Sequence, residues 1–248
     1  MQRKRKGQEK RLLEIPWDKR AIFLKRPNRF LGICQDPETG SQLKVHVRDP
    51  GRLRELLFKG NEVLVRKASN PDRKTKWDLI AAKGQGDDWI LVNSGFHSKI
   101  ASLILADEEL SPFGPASDIR PEVKVGESRL DFVINLKEDS ATQPIYIEVK
   151  GCTLEQGGKA LFPDAPTKRG TRHLQELIRL VDADKRAAVL FLIFCQTVSC
   201  FDANKATDPE FHRALYEARE RGVEIHPIKL AYKDGYIWYK GEVGVCSR

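Results

Sequence analysis

Apolar and polar positions alternate in short runs from Ala21 to Val92, and turn-forming residues separate the runs. Residues 21–24, 30–35 and 43–47 read as strands, with Pro37 and Gly40 marking the turn between the last two. Residues 62–67, 77–83 and 89–92 continue the pattern, and 53–58, ahead of Gly60, reads as a short helix. Five or six short strands with one short helix predict a small closed β-barrel of the OB type.

Past Val92 the period changes. Asn93 or Ser94 caps a helix running to about residue 110, followed by strands at 120–125, 128–136 and 145–151. Residues 171–182 form an amphipathic helix with Leu174, Leu177, Ile178 and Val181 on one face. The unbroken apolar run 187–195 has the pattern of a buried central strand. A helix at 208–221, capped by Asp208 and ended by Gly222, precedes strands at 223–229 and 236–240. The order α-β-β-β-α-β-α-β predicts a mixed sheet covered by helices. The expected division is a basic arm at 1–20, mobile at first and helical through Leu13, a barrel at 21–92, and a mixed α/β domain at 93–248 with a sheet of its own.

Charge sharpens the picture. The chain carries 43 Lys and Arg against 35 Asp and Glu, a net +8. Up to Val92 the balance is 22 to 12, so the surplus lies in the arm and barrel, and the remainder is slightly acidic. A basic module beside a near-neutral one points to a polyanion, nucleic acid first, although a merely solvated basic surface gives the same balance. In the barrel, Arg29, Arg48, Arg52, Arg54, Lys74 and Lys76 flank Phe30 and Trp77. Cations beside aromatics suit a strand whose bases stack while its backbone is neutralised. Phe30 is expected in the core, and Trp77 fits core or surface equally. The five cysteines, Cys34, Cys152, Cys195, Cys200 and Cys246, contain no C-x-x-C pair. Neither a zinc site nor a disulfide framework is expected, and a reducing cytoplasm is. No apolar run reaches the roughly 18 residues of a membrane span, and the N-terminus lacks the apolar core of a secretory signal, so no membrane partner is expected.

Two segments carry candidate chemistry, S-R-L-D-F-V-I (128–134) and I-Y-I-E-V-K-G (145–151). In the second, Tyr146, Glu148 and Lys150 share one face and Ile147 and Val149 the other. In the first, Leu130, Phe132 and Ile134 pack as a set and leave Asp131 on the opposite face. Paired as a hairpin, the strands bring Asp131 beside Glu148, with Lys150 roughly 7 Å along. Two carboxylates suit Mg²⁺ or Mn²⁺, which polarises a phosphoryl oxygen and acidifies a bound water, while a lysine steadies developing charge. E-V-K alone is also a common exposed strand pattern; the Asp131 strand ahead of it singles it out. Lys168 and Arg169, in the loop 162–170, and Arg172, in the turn after it, surround a helix N-terminus suited to phosphate. Asp164 there reads equally as a turn residue and Thr171 as the cap. His173 is a candidate proton carrier or a structural helix residue.

This arrangement resembles the PD-(D/E)XK nuclease superfamily, whose core runs α-β-β-β-α-β. More closely, R-P-N-R-F (26–30), V-H-V-R-D-P-G-R-L (45–53), T-K-W-D-L (75–79), S-R-L-D-F (128–132), E-V-K-G-C-T-L (148–154), F-P-D-A-P-T-K-R-G (162–170) and H-L-Q-E-L (173–177) resemble the sugar fermentation stimulation protein A family from about residue 23 to 229. The resemblance implies an N-terminal OB-like barrel, a restriction-endonuclease-like mixed α/β domain, DNA binding, and a link to expression of sugar-utilisation genes. Related chains often carry an Asn and an acid in the helix after V-N-T, where some nucleases hold an extra metal ligand; Ser98 and Leu103 stand in that segment here, so no helix-borne acidic ligand is expected, and Glu122, near the start of the first core strand, is the candidate substitute as a third metal ligand. The expected function is Mg²⁺-dependent phosphodiester hydrolysis on DNA, single-stranded or duplex. The alternatives are a non-catalytic DNA-binding regulator of sugar-utilisation genes on a nuclease fold, and an enzyme acting on another phosphorylated substrate such as a nucleotide. A homodimer is left open.

Overall fold

Short, strongly curved strands close on themselves when the two edges of their sheet can pair, and this happens in the first third of the chain. The computed structural model describes residues 9–247 except 71, 85, 127 and 138–142. After β1 (Lys10–Glu14) come β2 (Lys19–Asn28), β3 (Leu31–Gln35), β4 (Gln42–His46), β5 (Glu62–Lys67) and β6 (Trp77–Lys83), paired in the order β4-β3-β2-β5-β6. A short parallel pairing of β4 with β6, Val45 opposite Trp77 and His46 opposite Asp78, closes the ring. Phe23, Val45, Val63, Val65 and Leu79 fill it. The expected helix at 53–58 is a single turn instead: Leu53 has φ +50°, which no right-handed helix accommodates, and its carbonyl accepts the Leu57 N–H at 2.7 Å.

β7 (Trp89–Leu91) leaves the barrel antiparallel to β6. Asn93 then caps a 3₁₀ turn, its Oδ1 accepting the Gly95 N–H at 3.1 Å, and the turn runs into α1 (His97–Ala106). That helix stops four residues earlier than its pattern suggests, where Asp107 becomes extended. The remaining elements are β8 (Ala116–Val125), β9 (Ser128–Leu136), β10 (Ile145–Cys152), β11 (Leu154–Gln156), β12 (Lys159–Phe162), α2 (Lys168–Asp182), β13 (Arg186–Ile193), β14 (Cys200–Ala203), α3 (Pro209–Glu220), β15 (Glu224–Lys233), β16 (Tyr236–Glu242) and β17 (Gly244–Val245). β8, β9 and β10 form an antiparallel meander; β10, β13 and β15 run parallel. The apolar run becomes central strand β13, buried on both faces: Ala188 and Leu190 pack with Ala101 and Leu105 of α1, and Val189 and Phe191 belong to the cluster that holds Leu174 and Leu177 of α2. The helices α1 and α2 therefore cover opposite faces of β10, which decides what Glu148 can meet.

Three expectations need correction. The two modules do not have separate sheets: β7 also pairs with β15, Trp89 opposite Tyr232, so barrel and α/β region join in one hydrogen-bonded sheet of 13 strands. The strand leaving the barrel supplies an edge that the long β15 reaches. Residues 10–14 are neither arm nor helix but β1, antiparallel to β16, and the Tyr232 hydroxyl donates to the buried Ile15 carbonyl at 2.6 Å. Residues 1–8 lie outside the described residues. Finally, Cys200 and Cys246 form a disulfide with Cα atoms 5.1 Å apart, fastening the chain after β17 to β14; Cys34, Cys152 and Cys195 are buried thiols. The small sheet β11-β12-β14-β17 leaves no pattern in the sequence, its strands being two to four residues long.

His226 on β15 is wedged between Glu242, 2.8 Å from Nδ1, and Glu224, 3.5 Å from Nε2. Burial would lower its pKa, but the two carboxylates outweigh burial and push it up to about 9. A raised histidine stabilises the fold fully below its unfolded value of about 6.5, and the contribution is lost as pH rises through the folded value. His226→Gln is expected to destabilise by on the order of 2–3 kcal/mol at pH 6, with the deficit shrinking towards pH 10. Urea titrations at the two pH values measure this; an equal deficit at both would assign the effect to packing.

Candidate active site

The β9–β10 ladder ends at the pair Phe132–Ile147, one residue short of Asp131 and Glu148. There the side chain of Asp131 takes over from the backbone: its Oδ2 accepts the Val149 N–H at 2.7 Å. Glu148 is only 3% exposed. Its Oε1 meets the Lys150 ammonium and Nδ1 of His173, while its Oε2 is sealed from solvent with no partner. On the far side of the imidazole, Nε2 lies 3.4 Å from Nε of Arg169, which can only donate. The network therefore fits the tautomer in which Nδ1–H of His173 donates to Glu148 and Nε2 accepts. Lys150 Nζ stands 3.3 Å from the same Nδ1.

Burial and the nearby Glu148 charge push the Asp131 carboxyl up to about 6. Burial would raise Glu148 too, but the bonds from His173 and Lys150 and their charges prevail and hold it below the usual range. The protein thus supplies counter-charge to one carboxylate of the pair at close range and leaves the other strained.

His173 reaches Glu148 because α2 begins one turn earlier than expected. The cap is Thr167, not Thr171: its Oγ1 accepts the Gly170 N–H at 3.0 Å, and its own N–H donates to Oδ2 of Asp208, the cap of α3, at 2.7 Å. Lys168 and Arg169 consequently lie in the first helical turn, exposed, with Arg172 exposed just after them.

Lys150 and Arg169 also line a cleft of about 380 Å³ between the barrel and the α/β region, together with Arg29, Gly51, His97 and Asp164 among others. Asp164 lies in a bend and also reaches across the cleft. Its Oδ2 accepts the Leu53 N–H of the barrel at 2.9 Å. Asp49, which burial pushes up to about 6, sits beside it and accepts the Gly51 N–H at 2.7 Å. Only glycine fits at 51, since a Cβ there would lie 2.8 Å from Oδ2 of Asp164 and 2.9 Å from Oδ1 of Asp49. Arg26 fixes this loop by donating to the carbonyls of Gly51, Arg52, Arg29 and Asp49 at 2.7–2.9 Å. Sequence reasoning misses Arg26 and Asp49, although each lies inside a motif that carries the family resemblance. Across the cleft His97 stacks on Phe194 at 5.3 Å, packs against Gly151, and is driven down to about 4 by burial.

The structure brings Asp131, Glu148, Lys150 and His173 together. Glu122 lies on β8 between the Pro121–Phe132 and Val123–Leu130 pairs, level with Asp131, but it is exposed, has φ +56°, and pairs with Arg129 at 2.7 Å. Among the described residues no three His, Cys, Asp or Glu side chains group closely enough to hold a metal ion by themselves. Arg29, Arg48, Arg52 and Arg54 are exposed, with Nε of Arg48 3.9 Å from Asp78. Trp77 is half-buried against the barrel core, with Nζ of Lys19 5.6 Å from its ring centre. Phe30, expected in the core, is 56% exposed: it lies in the β2–β3 turn, outside the alternation that fills the barrel.

Two family domains match the chain in this order: the SfsA N-terminal OB domain over residues 24–92, and the sugar fermentation stimulation protein RE domain over residues 95–236. A sugar fermentation stimulation protein homolog of Methanococcoides burtonii is 46% identical over 240 residues, 95% of each chain. The chain belongs to the sugar fermentation stimulation protein family. A homolog from Thermotoga neapolitana is 39% identical over 235 residues, covering 95% of this chain and 98% of its own. Among solved structures, that of Pyrococcus furiosus SfsA in complex with Ca²⁺ is similar, with a TM-score of 0.85 and 32% identity over 96% of this chain and 100% of that one. The family fold is thus an OB domain followed by an RE domain, and the Asp131, Glu148 and Lys150 cluster belongs to the second.

The strain at the carboxylate pair is measurable. Asp131→Asn keeps an acceptor for the Val149 N–H and removes the charge facing Glu148. A carboxyl whose folded pKa is raised costs stability as pH climbs past its unfolded value of about 3.9 and through 6. In chelator-containing buffer the variant is expected to melt above the wild type at pH 8 and level with it at pH 4. A lower melting temperature at both pH values would mean that Asp131 holds the strands together rather than straining them.

Proposed function

We propose that this member of the family is a divalent-metal-dependent phosphodiesterase acting on DNA. The observation that carries the reading is the Glu148 carboxylate: buried, with one oxygen held by Lys150 and His173 and the other without a partner, beside a second buried carboxylate. The donor set fits Mg²⁺ or Mn²⁺, hard cations that take oxygen ligands and keep several waters, so Asp131 and Glu148 suffice to hold one. Such an ion supplies a polarised phosphoryl oxygen and an acidified water. The Ca²⁺ complex of the Pyrococcus furiosus relative supports a divalent cation.

The remaining roles belong to the chain's own side chains. Lys150 sets an ammonium where negative charge develops on the phosphoryl group. His173, with both ring nitrogens engaged, keeps Glu148 oriented and is a positioning residue rather than a proton carrier. Lys168, Arg169 and Arg172 add positive charge to the N-terminal turns of α2, where a substrate phosphate meets free N–H groups. The basic surplus up to Val92 attracts the polyanion. One observation favours the alternative of a silent nuclease fold that regulates sugar-utilisation genes by binding DNA: Lys150 and His173 both converge on Glu148, so the cluster is already partly neutralised without a cation.

Incubation of the full chain with a panel of DNA and RNA structures, with Mg²⁺, Mn²⁺ or chelator, separates these readings. Metal-dependent cleavage is expected, reduced about 100-fold or more in Glu148→Gln and in Lys150→Ala. If the wild type cleaves nothing with either metal, the catalytic reading fails and the binding protein remains. Independently, neutralising Arg48, Arg52 and Arg54 together is expected to flatten the salt dependence of duplex binding, by about 0.9 in log–log slope for each phosphate that is no longer neutralised. An unchanged slope would assign the polyanion to another surface.

A further inference from the structure

Phe30 and Phe58 are the two large apolar residues exposed among the described ones, at 56% and 51%. A single exposed phenylalanine is ordinary on a protein surface. Phe30 differs in what fixes it and what surrounds it. Its N–H donates to Oδ1 of Asn28 at 2.9 Å and its carbonyl accepts the Val47 N–H at 2.9 Å, so the turn that presents the ring is held at both ends. Arg26 anchors the preceding carbonyl, that of Arg29, at 2.7 Å. The ring lies near-parallel to His46, centroids 6.4 Å apart and planes 25° apart, and the Arg29 guanidinium stands 5.7 Å from its centre. Arg29 is also a wall of the cleft that contains Lys150 and Arg169.

We propose that the Phe30–His46–Arg29 face receives unpaired bases of a single-stranded nucleic acid, whose backbone then follows Arg29 into the interdomain cleft towards Lys150. This rests on the nucleic-acid reading above and narrows it to one class of substrate. A base can lie on an aromatic ring only where it is not already stacked within a duplex, and cations beside the ring neutralise the adjoining phosphates. The cleft gives the same answer by size. At about 380 Å³ it is comparable in volume to a small-molecule pocket, a size that suits one strand better than two. The surplus of basic residues up to Val92 supplies the complementary charge, and it argues against an apolar protein partner on this face.

The test is fluorescence anisotropy with the full chain in chelator, using labelled oligo(dT), oligo(U) and a duplex of equal length. Oligo(dT) or oligo(U), whichever sugar is preferred, is expected to bind more tightly than duplex. Phe30→Ala is expected to weaken single-strand binding about tenfold or more while leaving the melting temperature and duplex binding unchanged. Phe30→Trp should restore the affinity, and Phe58→Ala should bind as the wild type does. Equal single-strand affinity in Phe30→Ala and wild type, or a duplex bound as tightly as the single strands, overturns the inference. Because no cleavage is measured, Phe30-dependent binding without any nuclease activity would leave this inference standing while the catalytic reading fell. Cleavage with no dependence on Phe30 would do the reverse.

Discussion

A carboxylate buried within a sheet must be neutralised where it stands, and much of the α/β region is arranged around that requirement at Glu148. Leaving such a charge unpaired would cost several kcal/mol. Lys150 can answer it because strand alternation puts it on the same face two residues along. His173 can answer it only if α2 starts early enough to carry the imidazole over β10. That start is set by the Thr167 cap, and Thr167 in turn is held by the cap residue of α3. Arg169, one turn ahead on α2, meets the second ring nitrogen and fixes which nitrogen faces Glu148. Three elements are thereby tied to one carboxylate oxygen, and the other is left free.

The second constraint is the seating of the barrel on this site. Two of the connections that make it are of different kinds. β7 carries the barrel sheet into β15 at a single ladder position, a joint that would permit rotation by itself. The loop after β4 removes that freedom: Asp164 grips its backbone at Leu53, Gly51 lets two carboxylates close over it, and Arg26 binds its carbonyls from within the barrel. The loop therefore ties the barrel to the wall of the cleft, and the turn that bears Phe30 shares the same arginine anchor.

How far these features can be read from the sequence follows from the range of the interactions. The strand at 128–136, the alternation in 145–151 and the Asp208 cap are local patterns, and they appear in the structure where the pattern puts them. Asp131, Glu148 and Lys150 are legible because a period of two assigns faces without any knowledge of packing. What stays hidden depends on partners distant in sequence. β1 looks polar and arm-like until β16, over 200 residues later, offers it an edge. Cys200 and Cys246 show no short spacing motif, being 46 residues apart. Thr167 and Thr171 are equally good caps locally, and Asp208 decides between them. Hydrophobicity alone assigns Phe30 to the core, but it falls on a turn, where alternation no longer says which way a side chain faces.

The helix after the barrel bears on the metal as well. It carries no acid at Ser98 or Leu103, and its cleft-facing polar residue, His97, packs against Gly151, on the face of β10 opposite Glu148. Burial keeps that imidazole uncharged. Glu122 is turned towards Arg129. Under the proposed reading Asp131 and Glu148 are the acidic side-chain ligands that remain among the described residues, too few by themselves to enclose a cation. An enclosed ion would have served the fold; a cation held by two carboxylates keeps open positions, which water and a substrate phosphate can fill. The scarcity of ligands therefore agrees with the free oxygen on Glu148 and with Lys150 beside it: each leaves room for a phosphate, and the Arg29 side of the cleft is where one would enter.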